Sequence, residues 1–154
     1  MSLKDETLSS QMASVDISEN DVTVQVEVTL VDRCSAGVIV CLDSATVPAN
    51  FIIGYHDGTN VHLDKCVAGT YTSLIDTAVA YGAGQVVKVV KNGNTVQLFY
   101  NGVQRGADQV VNDAGIISNT KHGMFTTYSG NTFDDFAILD ATGVTTLFSD
   151  DFNR

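Results

Sequence analysis

Most of the chain consists of short segments in which apolar and polar residues alternate. The clearest is residues 22–30, where a valine or leucine at every second position is separated by Thr, Gln or Glu. A period of two residues indicates a β-strand with one buried face, so Glu27 is expected on the solvent-facing side. The segment Ala36–Leu42 is apolar almost throughout, which predicts a central strand covered on both faces.

Turn residues divide the remaining chain into further segments of the same kind. Asp57-Gly58 separates two apolar runs, and Asn92-Gly93-Asn94 predicts a tight hairpin because a left-handed backbone is most accessible to Asn and Gly. Strands are also predicted at residues 7–14, 51–55, 61–67, 70–80, 85–91, 95–100, 103–105 and 144–148. Residues 106–119 show no sustained period and are expected to hold a short helical turn at most.

Residues 121–139 form two alternating runs joined by Ser129-Gly130-Asn131, which predicts two paired strands. The second run contains Asp134 and Asp135 between two phenylalanines, and residues 149–153 (Ser-Asp-Asp-Phe-Asn) nearly repeat it. About a dozen short strands with turns between them indicate an all-β, antiparallel sandwich or barrel. The length of 154 residues fits a single domain, residues 1–154.

The charge of the chain argues against several classes of partner. Eight basic and eighteen acidic residues give a net charge of −10, so the basic surface that a nucleic acid requires is missing. Anionic membranes and anionic polysaccharides are disfavoured for the same reason, whereas a cation such as calcium is favoured. No apolar run is long enough to span a membrane, and the first residues do not resemble a signal peptide.

The cysteines and histidines indicate no metal centre. Cys34, Cys41 and Cys66 form no C-x-x-C pair, which argues against zinc, and leave two alternatives: three buried thiols, or one disulfide with one thiol remaining. The three histidines, His56, His62 and His122, are expected at strand ends or on the surface.

The order of these pieces resembles the concanavalin A-like lectin/glucanase superfamily, especially its laminin-G-like and bacterial carbohydrate-binding modules. The resemblance rests on residues 22–30, the hairpin 51–67, the Asn-Gly-Asn hairpin with residues 99–103, and the closing segment 123–136. It covers most of residues 20–139. It implies a jelly roll of two curved antiparallel sheets, and glycan binding on the concave sheet.

The end of the chain departs from that resemblance. A segment like residues 147–153 usually opens such modules, where its strand lies antiparallel to the closing strand. We expect a circular permutation, in which residues 144–152 form the last strand and pair antiparallel with residues 132–139. The alternative is that residues 147–154 begin a second module.

Two adjacent pairs of carboxylates are the candidate metal ligands. Pairing of the last two strands would bring Asp134, Asp135, Asp150 and Asp151 together, and a hard cation would relieve their repulsion. The resemblance implies a structural calcium, with Asp135 matching the ligand position best. The alternative is that these are solvated carboxylates at strand ends.

Hydrolysis of a glycoside requires two carboxylates on either side of the scissile bond. The Glu-x-Asp-x-x-Glu pattern of laminarinase-like members of the superfamily is absent, and the only glutamates are the scattered Glu6, Glu19 and Glu27. Gly-x-Ser-x-Gly is absent too. The sequence therefore argues against an enzyme.

Sugar rings stack on flat apolar surfaces, with polar groups at the rim to bind the hydroxyls. The chain has no tryptophan, so tyrosines at strand ends beside turns are the candidates. The candidate carbohydrate-binding residues are Tyr55, His56, Asp57, Tyr100, Asn101 and Tyr128. The alternative for each tyrosine is a half-buried ring with its hydroxyl in water. The galectin His-Asn-Arg signature and the legume-lectin metal spacing are missing, so those specificities do not carry over.

The sequence thus predicts a non-catalytic carbohydrate-binding or adhesion module whose partner is a glycan or surface polysaccharide. We expect it to be part of a longer extracellular or surface protein. A structural or oligomerising module of a surface or phage fibre is the first alternative, and a glycoside hydrolase or lyase is the second. The oligomeric state stays open.

Overall fold

A computed structural model of the chain describes residues 11–31 and 34–152. The strands are β1 (Gln11–Asp16), β2 (Val22–Thr29), β3 (Ala36–Leu42), β4 (Phe51–His56), β5 (Asn60–Val67), β6 (Thr70–Ala78), β7 (Gln85–Asn92), β8 (Thr95–Tyr100), β9 (Val103–Val110), β10 (Lys121–Thr126), β11 (Thr132–Asp140) and β12 (Thr146–Asp150). One short helix, α1 (Ala114–Ile117), lies between β9 and β10. The predicted first strand began at residue 7, and its first four residues lie outside the described part of the chain.

The strands form two six-stranded antiparallel sheets that pack face to face. Sheet A has the order β1-β10-β3-β4-β5-β6, and sheet B has the order β12-β11-β2-β7-β8-β9. This arrangement confirms the predicted all-β, antiparallel sandwich. Each sheet joins strands that are distant in the chain, because β10 lies beside β3 and β11 lies beside β2.

The core between the sheets is made mostly of valines. The alternate valines of β2, predicted from their spacing, are buried in one cluster with the inner residues of β3, β4 and β7. A Cβ atom on Gly54 would lie 2.4 Å from Cγ2 of Val89. The glycine therefore lets β4 of sheet A approach β7 of sheet B closely at this point.

Sheet A is apolar on its outer face as well as on its inner face. All seven residues of β3 are buried, as its continuous apolar run predicted. A second buried cluster, separate from the main core, is formed by residues of β3, β4, β5 and β10: Ile39, Leu42, Phe51, Ile53, Cys66 and Phe125. We call the side of sheet A that carries this cluster the outer face of sheet A.

Turn chemistry explains two of the hairpins. Asn101 and Gly102 both have positive φ (53° and 79°) between β8 and β9, which is the left-handed pair of a type I′ turn. Between β7 and β8 only Gly93 has positive φ, 61°, so Asn94 does not take the left-handed conformation.

The last strand packs against the strand before it. β12 is antiparallel to β11, with Phe136 opposite Asp150, and the rings of Phe136 and Phe148 are 6.0 Å apart. The segment is thus an edge strand of sheet B. Whether it corresponds to a permuted first strand stays a prediction.

Residues 106–110 correct the sequence analysis, because they continue β9 rather than forming an irregular segment. A bulge hides the strand period here: the register shifts opposite Val96–Leu98, and Gly106 has φ +71°. Within residues 11–31 and 34–152 no helix is long and apolar enough to cross a bilayer. The structure describes all three cysteines, and none of them forms a disulfide.

Two of the histidines, His56 at the end of β4 and His122 near the start of β10, lie at strand ends as expected, but both are buried in the sandwich. His56 Nδ1 accepts the Gly58 N–H (2.9 Å), and His122 Nδ1 accepts the Cys41 N–H (3.0 Å). In each ring Nε2 therefore carries the proton and donates to a backbone carbonyl, that of Val79 or that of Glu19. Burial lowers the pKa of both imidazoles, so both are neutral.

Candidate functional site

A row of polar side chains crosses the outer face of sheet A over β4, β5 and β6. The Tyr55 hydroxyl donates to Asp64 Oδ2 (3.0 Å). His62 Nε2 lies 2.7 Å from Asp57 Oδ2, and its Nδ1 lies 3.6 Å from Asp76 Oδ1. The Tyr55 and His62 rings are stacked with centroids 4.6 Å apart. We call Tyr55, Asp57, His62, Asp64 and Asp76 the polar row.

Strand pairing explains why these residues meet. Tyr55 lies opposite His62, and His62 lies opposite Asp76, so three side chains from three neighbouring strands share one face. Asp57 follows β4 and turns back over its own hairpin, where its Oδ1 accepts the N–H groups of Thr59 and Asn60. The polar row is therefore held in place by backbone and side-chain hydrogen bonds.

The carboxyl groups of the polar row have different proton affinities. Burial raises the pKa of Asp64, against the effect of the Tyr55 hydrogen bond. Burial also disfavours the Asp57 carboxylate, but hydrogen bonds from the Asn60 N–H and from His62 outweigh it and lower the pKa of Asp57. Burial next to Asp64 raises the pKa of the Tyr55 phenol, which remains a hydrogen-bond donor at neutral pH.

A cavity of about 460 Å³ opens on the same face, beyond the Asp64 end of the polar row, and no residue of the polar row lines it. Its floor contains Phe51 and Cys66, and Tyr71 stands at its side with half of its surface exposed. The Tyr71 ring meets the Phe51 ring edge-on, with centroids 5.8 Å apart. The loop between β3 and β4, through Ala45, Thr46 and Pro48, forms another wall. We call this space the aromatic cavity.

Two predicted carbohydrate-binding residues do not reach this surface. His56 is 1% exposed and Tyr100 is 3% exposed, and their rings contact each other inside the sandwich at 4.7 Å. The Tyr100 hydroxyl is held by the N–H and the carbonyl of Gly82. This corrects the assignment of His56 as a sugar ligand, because adjacent strand residues point to opposite faces and His56 faces inward when Tyr55 faces outward. Tyr100 lies in sheet B, so it has no part in a site on the outer face of sheet A.

Two other predicted residues lie on turns at the same end of the sandwich as Tyr55. Asn101 occupies the exposed β8–β9 turn. Tyr128 is exposed in the turn between β10 and β11, and this turn lies at the Tyr55 end because Ala36 of β3 pairs with both His56 and Thr126. No contact links either residue to the polar row within the described residues, so their role in binding stays a prediction.

Three carboxylates come together on the outer face of sheet B. Oxygen atoms of Glu27, Asp134 and Asp135 all lie within 4.8 Å of one another. The register places Glu27 of β2 opposite Asp134 of β11, and a bulge with Asp135 at φ 48° turns the second aspartate toward them. A hydrogen bond shared with Asp135, together with its negative charge, raises the pKa of Glu27.

The other two predicted metal ligands lie near this cluster but outside it. Asp151 lines a cavity together with Asp134 and Asp135. Asp150 lies opposite Phe136, and its Oδ1 accepts the N–H of Phe152. The strand pairing thus brings together two of the four predicted aspartates, with Glu27 as the third oxygen donor. Carboxylate oxygens are the ligands that Ca²⁺ takes, so this donor set suits that ion.

Sequence reasoning missed His62, Asp64, Asp76 and Tyr71. The first two sit in β5 at alternate positions, which is the only signal for a shared face that the sequence carries. Glu27 was assigned to the solvent side of β2, where it does lie, but its partner depended on which strand pairs with β2. Sequence periodicity gives the face of a residue and not its neighbour on the next strand.

No protein-family model matches this sequence, and no curated protein is significantly similar to it. Solved structures do match. A carbohydrate-binding module, CBM66 from Bacillus subtilis, superposes with a TM-score of 0.66 at 14% identity, over 82% of this chain and 76% of that one. The Caenorhabditis elegans galectin LEC-6 superposes with a TM-score of 0.56 at 15% identity, over 88% of this chain and 93% of that one.

A third structure is the glycoside hydrolase family 43 protein BlXynB from Bacillus licheniformis, in a mutant form. It superposes with a TM-score of 0.56 at 17% identity, over 79% of this chain but only 28% of that chain. At these identities the likeness concerns the fold. The fold is a jelly-roll sandwich like that of these structures, which confirms the fold that the resemblance implied.

Proposed function

We propose that this protein is a non-catalytic carbohydrate-binding module that holds a glycan on the outer face of sheet A. The observation that carries the proposal is that one face holds both the aromatic cavity and the polar row, which extends away from the cavity from Asp64. A sugar has an apolar ring face and a rim of hydroxyl groups, and binding one requires both kinds of surface side by side.

The aromatic cavity supplies the apolar surface. Tyr71 is half exposed, and Phe51 braces its ring edge-on, so the tyrosine can offer a fixed flat face to a sugar at little cost in conformational entropy. The volume of about 460 Å³ is within the range of small-molecule sites. It would accommodate one or two sugar rings.

The polar row supplies oriented hydrogen-bonding groups. The Asp57 and Asp76 carboxylates have oxygens that can accept sugar hydroxyls, and they are held in position by His62 Nε2 and by Asn60 Nδ2 respectively. The buried carboxyl group of Asp64 is already engaged by Tyr55. Pre-positioned groups of this kind give specificity because little ordering is left to the moment of binding.

The fold supports this proposal in a coarser way. Two of the similar structures are named as a carbohydrate-binding module and a galectin. The proposal extends that class of function to the present chain on the strength of its own surface. We also propose, as the sequence analysis expected, that the module works in an extracellular or surface-associated protein.

A glycan array with the purified protein tests the proposal. We expect binding to a subset of neutral glycans, since the acidic surface repels polyanions. Binding should be lost in Tyr71→Ala and kept in Phe99→Ala, which removes an aromatic ring from the outer face of sheet B instead. Absence of binding to every glycan, or equal loss in both variants, would contradict the proposal.

One observation favours a hydrolase as the second candidate function. Asp64 and Asp57 occupy the same face with pKa values shifted in opposite directions, as an acid and a base would need. Against it, Asp64 is only 9% exposed, and a general acid must reach the glycosidic oxygen. Release of reducing sugar from a panel of glycans, abolished by Asp64→Asn, would establish this candidate in place of the first.

A structural or oligomerising module is the remaining alternative, and edge-strand residues favour it. Val110 of β9, and Leu147 and Phe148 of β12, are exposed on strands with an open edge. Sedimentation of a stable oligomer that Leu147→Lys dissolves would support this alternative.

A structural calcium ion bound by Glu27, Asp134 and Asp135 is part of the proposal as well. The three oxygen donors fit a hard cation, and an ion would remove the repulsion between them. Such an ion would fix the β11 bulge beside the chain end. It would lie on the outer face of sheet B and have no direct part in glycan binding on sheet A.

A further inference from the structure

A second cavity lies at the edge where β6 of sheet A meets β9 of sheet B. It has a volume of about 340 Å³ and is separate from the aromatic cavity. The residues that matter for its chemistry are Tyr81, Gly82, Gln85, Tyr100, Asn101 and Arg105. We call it the Arg105 cavity.

Arg105 is the only charged residue that lines this cavity. The buried Nε–H of its guanidinium has no hydrogen-bond partner. Nor does the group form an ion pair with any carboxylate of the described chain, although the protein has eighteen acidic residues and eight basic ones. Buried polar groups are nearly always hydrogen-bonded, so an arginine without partners is unusual. Its Nε is covered by protein, so a ligand in the cavity would be bound by the terminal amino groups of the guanidinium, for which the described residues offer no hydrogen bond either.

The backbone holds Arg105 in this position. It lies opposite Leu98, whose side chain faces the core, so Arg105 also points to the inner side of sheet B at its open edge. The bulge that follows starts at Gly106, where a Cβ atom would lie 3.0 Å from Ile75 side-chain atoms. A bulge of this kind re-aims the neighbouring side chain, here toward the cavity.

The rest of the wall is rigid and uncharged. The Tyr81 hydroxyl accepts the Leu30 N–H (2.8 Å), and the Tyr100 hydroxyl is held at Gly82 (3.0 and 3.1 Å). The neutral His56 ring packs against both tyrosines from the core side. No carboxylate lines the cavity to compete for the arginine, while the side-chain amides of Gln85 and Asn101 at its rim can bind hydroxyl groups.

We propose that the Arg105 cavity is a binding site for a carboxylate carried on a small hydroxylated molecule, such as a uronic acid. The planar guanidinium of arginine matches a carboxylate with two parallel hydrogen bonds, which the two terminal amino groups of Arg105 can donate. The acidic surface disfavours long polyanions, so the ligand is a single acidic residue or a free acid. This site is independent of the glycan site proposed for sheet A.

Titration of ¹⁵N-labelled protein with D-glucuronate, acetate and D-glucose tests the proposal. We expect glucuronate and acetate to shift the Gly82 and Asn101 amides and the Arg105 Nε–H saturably, and glucose to leave them unchanged. Tighter binding of glucuronate than of acetate assigns the site to a sugar acid, whereas equal binding assigns it to simple carboxylates. Inorganic phosphate as a fourth arm should bind more weakly than either.

Matched variants distinguish the two parallel hydrogen bonds of the Arg105 guanidinium from a general effect of positive charge on binding. Arg105→Gln should weaken glucuronate binding about tenfold or more, since a charge-assisted bidentate contact is lost. Lys88→Gln removes the same charge from the outer face of sheet B and should change the affinity less than about twofold. Arg105→Lys keeps the charge without the two parallel hydrogen bonds and should fall between them. Thermal melting and amide spectra verify that each variant is folded.

Several results would overturn this site without touching the glycan proposal. They are no saturable shift at Gly82 and Asn101, unchanged affinity in Arg105→Gln, or phosphate binding as tight as glucuronate. Should Arg105→Gln fail to fold, Arg105→Lys together with loss of binding at high salt decides the matter. Failure of the glycan site on sheet A would be recognised separately, by the absence of glycan-induced shifts at the amides of Asp64 and Tyr71.

Discussion

The two outer faces of the sandwich are made of strands of similar length and composition, yet they differ in what they cover. The outer face of sheet A carries six buried apolar residues, the aromatic cavity and the polar row. The outer face of sheet B carries Gln25, Glu27, Lys88 and Phe99, with the lysine amine 4.4 Å from the centre of the phenylalanine ring. Only the outer face of sheet A combines buried apolar residues with hydrogen-bonding groups that are held in fixed positions.

The difference between the two outer faces is the reason for proposing the glycan site on sheet A, because the fold alone does not indicate which face binds a ligand. A sandwich requires one buried face per sheet, and the inner valines satisfy that need for both sheets. The additional apolar residues on the outside of sheet A are not required for folding into two layers. These six residues are themselves buried, so the apolar surface open to a ligand on this face is that of the half-exposed Tyr71 in the aromatic cavity.

The largest expected effect concerns stability. Phe51→Ala should cost about 3–5 kcal/mol of the free energy of unfolding, because Phe51 is 2% exposed and its removal leaves a void beneath Tyr71. Phe99→Ala should cost about 1 kcal/mol, since its ring is only partly covered on the outer face of sheet B. Urea unfolding of both variants measures the difference. Equal losses of unfolding free energy in the two variants would contradict the difference between the two outer faces.

The next effect concerns affinity for the glycan that the array identifies. Asp57→Asn should weaken binding about tenfold, because it removes a charged acceptor from the polar row while keeping its shape. Asp108→Asn on β9 is the control, since that aspartate contacts only Gln97 and Gln104 at the surface. Isothermal titration calorimetry measures both. A similar loss in the control would indicate a general effect of charge.

A third prediction concerns the pH dependence of stability, which depends on histidines inside the sandwich and not on either outer face. His56 and His122 are neutral in the fold with pKa values lowered by burial from the ordinary 6.5. The unfolded chain therefore binds more protons below pH 6.5, and stability is present above that pH and is lost as the pH falls through it. The melting midpoint should drop by a few degrees between pH 7 and pH 5.5.

His122→Asn tests this cause, because it removes one titrating group and should flatten the decline even if it lowers the midpoint at pH 7. His62→Asn is the matched control on the outer face of sheet A, where the imidazole lies between two carboxylates. An unchanged pH dependence in His122→Asn would contradict the explanation.

The smallest expected effect belongs to the outer face of sheet B. Millimolar Ca²⁺ should raise the melting midpoint by a few degrees, and excess chelator should reverse it, if Glu27, Asp134 and Asp135 bind the ion. Glu27→Gln should abolish the calcium effect. It should also stabilise the ion-free protein slightly, because it removes one of three close carboxylates. A midpoint that does not respond to Ca²⁺ would end the metal hypothesis.

The sequence was sufficient for the fold because strand period and turn residues act locally. The valines of β2 and the continuous apolar run of β3 predicted their own burial, and both predictions are confirmed. Where a bulge interrupts the period, as at Gly106 in β9, the prediction failed. The glycine signal was visible, but its meaning depended on the partner strand.

The site was less accessible to sequence reasoning for a related reason. Tyr55 and Asp57 were identified from their place beside a turn, but so was His56, which alternation places inside. The polar row needs β5 beside β4 and β6 beside β5 in one particular register, and Glu27 needs β11 beside β2. Contacts between strands set these positions, and a single sequence does not reveal them.

The central claim is that a glycan binds the outer face of sheet A. Its most direct test is an amide spectrum of the ¹⁵N-labelled protein titrated with the tightest-binding glycan from the array. We expect the shifted amides to be those of β4, β5 and β6, centred on Asp64 and Tyr71. Shifts confined to the strands of sheet B, or spread evenly over the molecule, would contradict the claim.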